Sequence, residues 1–340
     1  MNIDLHLSSS LRLEIVLSIW AAVGVLVICF VVLTKCADWF VDGAVGIAEY
    51  LNVPKMLIGI VLMSLATTSP ELAVSVMSAF EGKPEMALGN AVGSVIVDDG
   101  VALGLGAFLA ATPIVINPYL LKTTGIFLVI VDVIAYAMVF NDHTLSRGEG
   151  GILVLLFVVY TVFAYVTRKQ SQNSENLDEL AEIEEAIEGK GIGSLIFWFC
   201  IGVVGVLISS HFIVDSATVI AEFLGVSGAV IGLTVVAIGT SLPEIATAVT
   251  SAKKGHGELM VGNILGADIL NICWIAGASA LVNPLVVQAR VIHFSFPAML
   301  IIVIGMLVMM RTGYRLSRGE GVVLVLMYVV YLGMMMKLFL

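Results

Sequence analysis

The chain of 340 residues carries one short motif twice, as ATTSPE at residues 66–71 and as GTSLPE at residues 239–244. In both copies a glutamate lies in a long apolar segment, directly after a proline and shortly after hydroxyl side chains. An offset of 173 positions aligns residues 42–98 with residues 215–271 without a gap. The chain therefore contains an internal repeat, and each repeat unit carries a glutamate in an apolar setting.

Composition identifies the class of protein. Apolar residues make up 59% of the chain and charged residues only 12%, with a mean hydropathy of +1.07. Apolar runs of about 20 residues, the length that crosses a bilayer as a helix, recur along the chain. The short alternating segments of a transmembrane barrel are absent from the sequence. We predict an all-α membrane protein with ten transmembrane helices, at residues 14–34 (continuing to about 50), 54–80, 84–111, 119–140, 148–168, 192–223, 226–252, 257–281, 291–311 and 319–339.

The repeat extends beyond the glutamate motif, since LSRGEG at 145–150 recurs at 316–321. The chain divides into a half at 1–168, a polar linker at 169–191 and a half at 192–340, with five predicted helices in each half. Because five is an odd number, the two halves must enter the membrane from opposite sides. The predicted architecture is therefore two five-helix repeats of inverted topology.

Basic residues indicate the orientation. With the N-terminus outside, ten Lys and Arg side chains fall in cytoplasmic loops and five on the opposite side, and this excess of basic residues inside favours that orientation. The linker at 169–191 holds seven acidic residues and would be cytoplasmic. Its apolar residues recur at helical spacing, typical of a solvated amphipathic helix, with a regulatory cation sensor as the alternative. We expect a multi-pass protein of the cell (inner) membrane.

Each motif places a hydroxyl and a carboxylate on one helix face. Thr67 and Glu71 are four residues apart, as are Thr240 and Glu244. The proline before each glutamate removes a backbone donor and frees carbonyls in the preceding turn. Such carbonyls persist at membrane depth only where they are buried or line a cavity, and there they can coordinate cations. A buried carboxylate costs about 3 kcal/mol or more, which a bound cation would offset.

A second helix in each half follows the motif helix. Glycines at 89–93 and at 262–266 permit close helix packing. Ser94 and Asp98 share a face of the first of these helices, and Asn271 occupies the position of Asp98 in the second. Asp98 is therefore the third carboxylate that we expect at the centre.

Asp99 and Asp268 lie next to these positions and project about 100° away from them on a helix. We expect them to support the ligands from behind, to line a water path or to mark helix ends, and a direct ligand role is the less favoured alternative.

The donor set favours hard cations such as calcium and sodium, because it consists of carboxylates, hydroxyls, an amide and carbonyls. The five histidines are scattered, so zinc or copper is disfavoured. The sequence lacks the clustered Lys and Arg residues of a nucleic-acid-binding surface, so nucleic acid is not an expected partner. No cofactor beyond transported ions and no obligate protein partner is expected.

These paired motifs resemble those of the sodium/calcium exchangers, prokaryotic type, within the cation/calcium antiporter superfamily. The likeness covers nearly the whole chain and is closest at GTSLPE, 239–244, followed by Gly262-Asn263. It implies ten helices in two inverted halves. It also implies calcium exchange for sodium by alternating access, with the first and sixth helices sliding.

The resemblance also implies ligands. Glu71 and Glu244 would be central, and the carbonyls of Thr67 and Thr240 would complete the calcium site. One implied sodium site, beside Glu71, uses the Ser64 carbonyl, Thr68 and Ser94. Its mirror, beside Glu244, uses the Ala237 carbonyl, Ser241 and the position of Ala267. Asp98 and Asn271 would close the middle of the site.

Two departures leave the coupling ion open. Ala267 replaces a usual serine, and the Asp98-Asp99 pair adds negative charge. The expected function is a calcium/sodium antiporter and not an enzyme. The alternatives are a proton- or potassium-linked antiporter of the same fold, a channel, and an intramembrane aspartyl protease, which Asn271 opposite Asp98 disfavours.

Overall fold

The computed structural model describes residues 9–51, 58–80, 82, 84–171, 191–223, 237–287, 289 and 291–339. In the first half these form helices α1 (Ser9–Tyr50), α2 (Gly59–Thr67), α3 (Ser69–Phe80), α4 (Pro84–Leu109), α5 (Pro118–Phe140) and α6 (Arg147–Ser171), with strands β1 (Ile114–Val115) and β2 (Thr144–Leu145). In the second half they form α7 (Ile192–Phe223), α8 (Ala237–Thr240), α9 (Leu242–Lys253), α10 (Gly257–Val282), α11 (Val291–Arg311) and α12 (Arg318–Phe339), with β3 (Leu285–Val286) and β4 (Arg315–Leu316).

Among these residues, eight helices are long and apolar enough to cross a membrane, and the bent pair α2–α3 makes a ninth span. The one remaining predicted helix, 226–252, begins outside the described residues, so the count of ten stays a prediction. The predicted helix of the acidic linker also lies outside them, apart from the ends of 169–191. Where a predicted span is fully described, its bounds agree with the observed helix to within a few residues.

Both motif helices break just before the repeated glutamate. The axes of α2 and α3 differ by 54°, and the residue between them, Thr68, has φ −81° and ψ 8°. At the equivalent position between α8 and α9, Ser241 has φ −85° and ψ 10°. In each case a proline, Pro70 or Pro243, follows two residues later and cannot donate a backbone hydrogen bond to the preceding turn. The predicted disturbance is therefore a bend between two short helices.

Helices α1 and α7 pack against each other and supply most of a second apolar cluster, which also includes Ile58, Met63 and Leu259. Phe40 stacks edge-on against Phe199, with ring centroids 4.9 Å apart. A side chain at Gly202 would collide with the backbone of Phe40, so glycine permits this close approach. The main core joins the remaining helices of both halves, with α4 and α10 almost wholly buried within it.

Two short antiparallel ladders join the halves. Strand β1 pairs with β4, placing Ile114 opposite Leu316, and β2 pairs with β3, placing Thr144 opposite Val286. In both ladders one strand belongs to the first half of the chain and the other to the second. The halves are thus connected by backbone pairing at two places.

The repeated LSRGEG segment caps a helix in each half. The carboxylate of Glu149 accepts hydrogen bonds from the backbone N–H and hydroxyl of Ser146, at 2.8 and 2.7 Å. Glu320 accepts the same pair from Ser317, both at 2.7 Å. This reciprocal pairing of Ser and Glu three residues apart is a capping box at the start of α6 and of α12.

The arginine of the same segment reaches the other half. Arg147 donates to the carbonyl of Val282 at the end of α10, at 3.0 Å, and Arg318 donates to the carbonyl of Ala110 just after α4, at 2.9 Å. A cation at a helix C-terminus satisfies a free carbonyl and complements the helix dipole. The repeated segment therefore fixes the ends of the two most buried helices.

Candidate ion-binding site

The breaks place both glutamates in the first turn of a buried helix. Glu71 opens α3 and Glu244 opens α9, and neither side chain has any exposed surface. Each carboxylate lies against the threonine of the other repeat, Glu71 with Thr240 and Glu244 with Thr67. Neither carboxylate makes a well-formed hydrogen bond to a described residue. We call this arrangement the crossed site, because the threonine of each repeat lies against the glutamate of the other repeat.

Asp98 joins the two glutamates, as predicted from its helix face. It is fully buried and interacts electrostatically with both Glu71 and Glu244. The amide of Asn271 donates to one of its oxygens at 3.3 Å, and Ser241 lies beside it. Three negative charges thus converge, and no basic side chain of the described residues pairs with them. Such an arrangement is costly unless cations or protons neutralise it.

Asp98 and Asn271 both lie where their helices widen. Residues Asp98–Leu103 of α4 and Leu270–Ala276 of α10 form π-helical turns within otherwise α-helical spans. A π-helical turn inserts an extra residue into the helix and shifts the side chains that follow, and such turns occur often at functional sites. The two π-helical turns occur at positions related by the repeat, and they bring Asp98 and Asn271 into contact at the middle of the site.

The hydroxyls of Ser64 and Thr68 donate to backbone carbonyls of the preceding turn. The Thr68 hydroxyl and backbone N–H both donate to the Ser64 carbonyl, at 2.6 and 2.9 Å, while the Ser64 hydroxyl donates to Ile60. The Ser64 carbonyl, predicted as a sodium ligand, therefore already accepts two hydrogen bonds from Thr68 and a longer one, at 3.4 Å, from the Thr67 hydroxyl.

Two asparagines missing from the predicted ligand set hold the motif helices in place. Asn90 donates to the hydroxyl of Ser75 at 3.0 Å and to the backbone carbonyl of Glu71 at 3.3 Å. Asn263 donates to the hydroxyl of Thr247 at 3.2 Å. Their match at the repeat offset was the signal for this role. The sequence alone did not show that they bond to the glutamate helices.

The predicted residues occupy three positions relative to the centre. The centre is surrounded by Glu71, Glu244, Asp98, Thr67, Thr240, Ser241 and Asn271. The adjoining turns bury Ser64, Thr68 and Ser94. The first residue of α8 is Ala237. Among the described residues, no three His, Cys, Asp or Glu side chains are gathered closely enough to hold a metal ion by themselves. An ion here would need hydroxyl and carbonyl oxygens as well.

Three further aspartates are buried nearby. Asp99 and Asp268, expected to face away from the centre, are fully buried, as is Asp132 on α5. Sequence reasoning did not single out Asp132. The available signal was a lone carboxylate within the apolar stretch 119–140, because an ionisable residue inside a membrane helix is usually functional.

Comparison with known proteins agrees with these features. A family model described as "Sodium/calcium exchanger protein" matches residues 21–166 and 194–337. The relatives include Sodium/calcium exchanger MaX1 of Methanosarcina acetivorans (31% identical, over 91% of this chain and 96% of the relative) and Inner membrane protein YrbG of Escherichia coli (31%, over 92% and 96%). A solved structure of the sodium-calcium exchanger NCX_Mj superposes with a TM-score of 0.79 at 26% identity, over 93% of this chain and 99% of that chain. On this evidence the chain is a membrane protein that belongs to the sodium/calcium exchanger family.

Proposed function

We propose that this protein is a secondary active antiporter that exchanges calcium for sodium by alternating access. The observation that carries the proposal is the crossed site, where Glu71, Glu244 and Asp98 converge without a basic partner. Calcium accepts six to eight oxygen ligands in flexible geometry, and the threonine carbonyls and hydroxyls around the glutamates supply oxygens of this kind.

Competition between the ions follows from charge. Each bound state must neutralise the same buried carboxylates, either with one calcium or with several sodium ions. Because both ions would use Glu71 and Glu244, they exclude each other and travel in opposite directions. The predicted ligands Thr67, Thr240 and Ser241 would take part in both bound states.

Alternating access requires one group of helices to move past another. We propose ten helices in two inverted halves, with α1 and α7 as the moving pair. In support, α1 and α7 supply most of a separate apolar cluster, and a cavity of about 250 Å³ lies between α1 and α9. Phe30 and Leu33 line one side of this cavity and Ile245 and Val249 the other. A contact that is not close-packed resists sliding less than a filled core does.

We also propose that the N-terminus lies outside and that the acidic linker, 169–191, lies in the cytoplasm. The distribution of basic residues between the loops supports this orientation. In sealed right-side-out vesicles, a protease added outside should leave the linker intact. Cleavage of the linker in such vesicles would reverse the assignment.

A proton- or potassium-linked antiporter is the second candidate. It is favoured by the further negative charge of Asp99, which interacts electrostatically with Asp98 beside the exchange site. Such charge could be balanced by an additional monovalent ion. The two candidates share a fold and differ in the gradient that drives calcium.

The test is isotopic calcium uptake by proteoliposomes that contain the purified protein. Sodium, potassium and proton gradients are imposed one at a time, with the other two ions held equal across the membrane. A sodium gradient alone, at fixed pH and without potassium, should drive uptake. Uptake that needs a proton or potassium gradient instead would establish the second candidate, and uptake under none of them would overturn both.

A further inference from the structure

A second group of carboxylates lies in the membrane core. Asp99 on α4, Asp268 on α10 and Asp132 on α5 come from three separate spans, and none has exposed surface. All six of their carboxylate oxygens are buried without a hydrogen-bond partner. The exchange site described above uses none of the three.

The three side chains interact with one another in pairs. Asp99 and Asp268 lie within reach of direct side-chain interaction where α4 packs on α10. Asp132 interacts electrostatically with both from the side of α5. The other titratable groups facing this cluster are Asp98 and the thiol of Cys273, neither of which carries positive charge.

The buried carboxylates outnumber the charges that one calcium ion can balance. Six fully buried carboxylates, three in each group, lie in this part of the protein. One calcium at the exchange site offsets two negative charges. Like charges held close together in a medium of low dielectric repel strongly, and here no described basic side chain reduces that repulsion. When ionised, the facing carboxylates of Asp99 and Asp268 carry two negative charges, which is the charge that one divalent ion balances.

We propose that Asp99 and Asp268 bind a second divalent cation of the calcium class, with Asp132 supplying a third negative charge close by. The donors are oxygen atoms only, which selects a hard cation. Because no three such side chains enclose one point, the two facing aspartates are the direct ligands, and water or backbone oxygens fill the remaining positions. The inference goes beyond the proposed exchange, because it assigns a binding site outside the exchange machinery.

Equilibrium binding of isotopic calcium to the purified full chain, in detergent and without sodium, tests the proposal. Wild-type protein should bind two calcium ions per chain, whereas Asp268→Asn and Glu244→Gln should each bind one. Asp132→Asn should retain two sites and weaken one of them by about tenfold or more, since it removes a nearby charge and not a ligand. Asn and Gln preserve side-chain size, and thermal unfolding of each variant confirms that it is folded.

A matched control is Asp142→Asn, which removes a carboxylate from an exposed loop and should bind as wild type does. If wild-type protein and Asp268→Asn each bound one calcium ion, the second site would be overturned, because Asp99 and Asp268 would then be neutral acids. If Glu244→Gln still bound as many ions as wild type, the exchange site would fail while the second site stood. The two results are therefore separable.

Discussion

At the scale of residues, the site depends on exchange of partners between the repeats. Thr240 faces Glu71 and Thr67 faces Glu244, so each glutamate has its nearest threonine partner in the other motif. The repeats are nevertheless unequal, because Asn271 donates to Asp98 at 3.3 Å where strict symmetry would set two aspartates together. One amide in place of a carboxylate lowers the charge at the centre and fixes the orientation of Asp98.

Replacing either glutamate by glutamine should abolish calcium exchange. Glu71→Gln or Glu244→Gln removes one negative charge from a fully buried site without changing its size. Loss of one partner of a buried charge pair costs roughly 3 kcal/mol or more, which corresponds to binding weaker by on the order of a hundredfold. Sodium-driven calcium uptake should fall to the level of empty liposomes.

The stability of these variants should be unchanged or higher, because a neutral amide is less costly to bury than a carboxylate. Thermal unfolding in detergent measures this directly. Uptake at the wild-type rate by either folded variant would remove both glutamates from the proposed mechanism.

At the scale of elements, breaks inside helices matter as much as the helices themselves. The bends at Thr68 and Ser241 were predictable from the following prolines, and the structure confirms a break at both. The π-helical turns at Asp98 and near Asn271 were not, because no proline marks the point where either helix takes up an extra residue. The helix face therefore predicted Asp98 at the centre, but the change in helix geometry that begins there was evident only in the structure.

The capping boxes give a prediction that belongs to this scale. Ser146→Ala and Ser317→Ala each remove the hydroxyl that pairs with a glutamate at a helix start. Loss of such a cap typically costs about 1 kcal/mol. Both variants should therefore unfold at lower temperature than wild type, and by similar amounts, in a detergent melt.

The comparison has a built-in control on the same helix. The hydroxyl of Thr161, in the middle of α6, donates to the carbonyl of Phe157 four residues earlier and caps no helix start, so Thr161→Ala should melt as wild type does. Equal melting of all four proteins would show that these hydrogen bonds add no stability. The sequence revealed LSRGEG as a repeat, but its capping role became evident only when Ser and Glu were found bonded in both copies.

At the scale of the whole molecule, two kinds of contact coexist. Backbone ladders and arginine caps join the halves outside the α1–α7 pair. Between α1 and α9, by contrast, there are a cavity and two partly exposed ion pairs, with Lys254 Nζ 2.7 Å from Asp42 Oδ1 and 3.5 Å from Asp38 Oδ1. An exposed ion pair contributes at most about 1 kcal/mol and can be broken in each transport cycle. The predicted division into a fixed frame and a moving pair is consistent with this difference.

Crosslinking tests that division in a background where Cys29, Cys36, Cys200 and Cys273 are replaced. Val115 lies opposite Arg315 in the β1–β4 ladder, so Val115→Cys with Arg315→Cys should form a disulfide that leaves calcium exchange intact. A short bis-maleimide joining Asp42→Cys to Lys254→Cys should instead stop exchange, because it ties α1 to α9. Inhibition by the ladder disulfide, or exchange through the α1–α9 crosslink, would contradict the proposed movement.

The two ladders also determine how the polypeptide can be divided. Strands β1 and β2 find their partners only in the second half, and Arg147 and Arg318 each cap a helix of the opposite half. None of these bonds requires the linker to be continuous. A gene split within the linker should therefore yield two subunits that assemble as an obligate heterodimer. Either fragment produced alone would expose unpaired strand edges and an uncapped helix, which makes it a substrate for quality-control proteases.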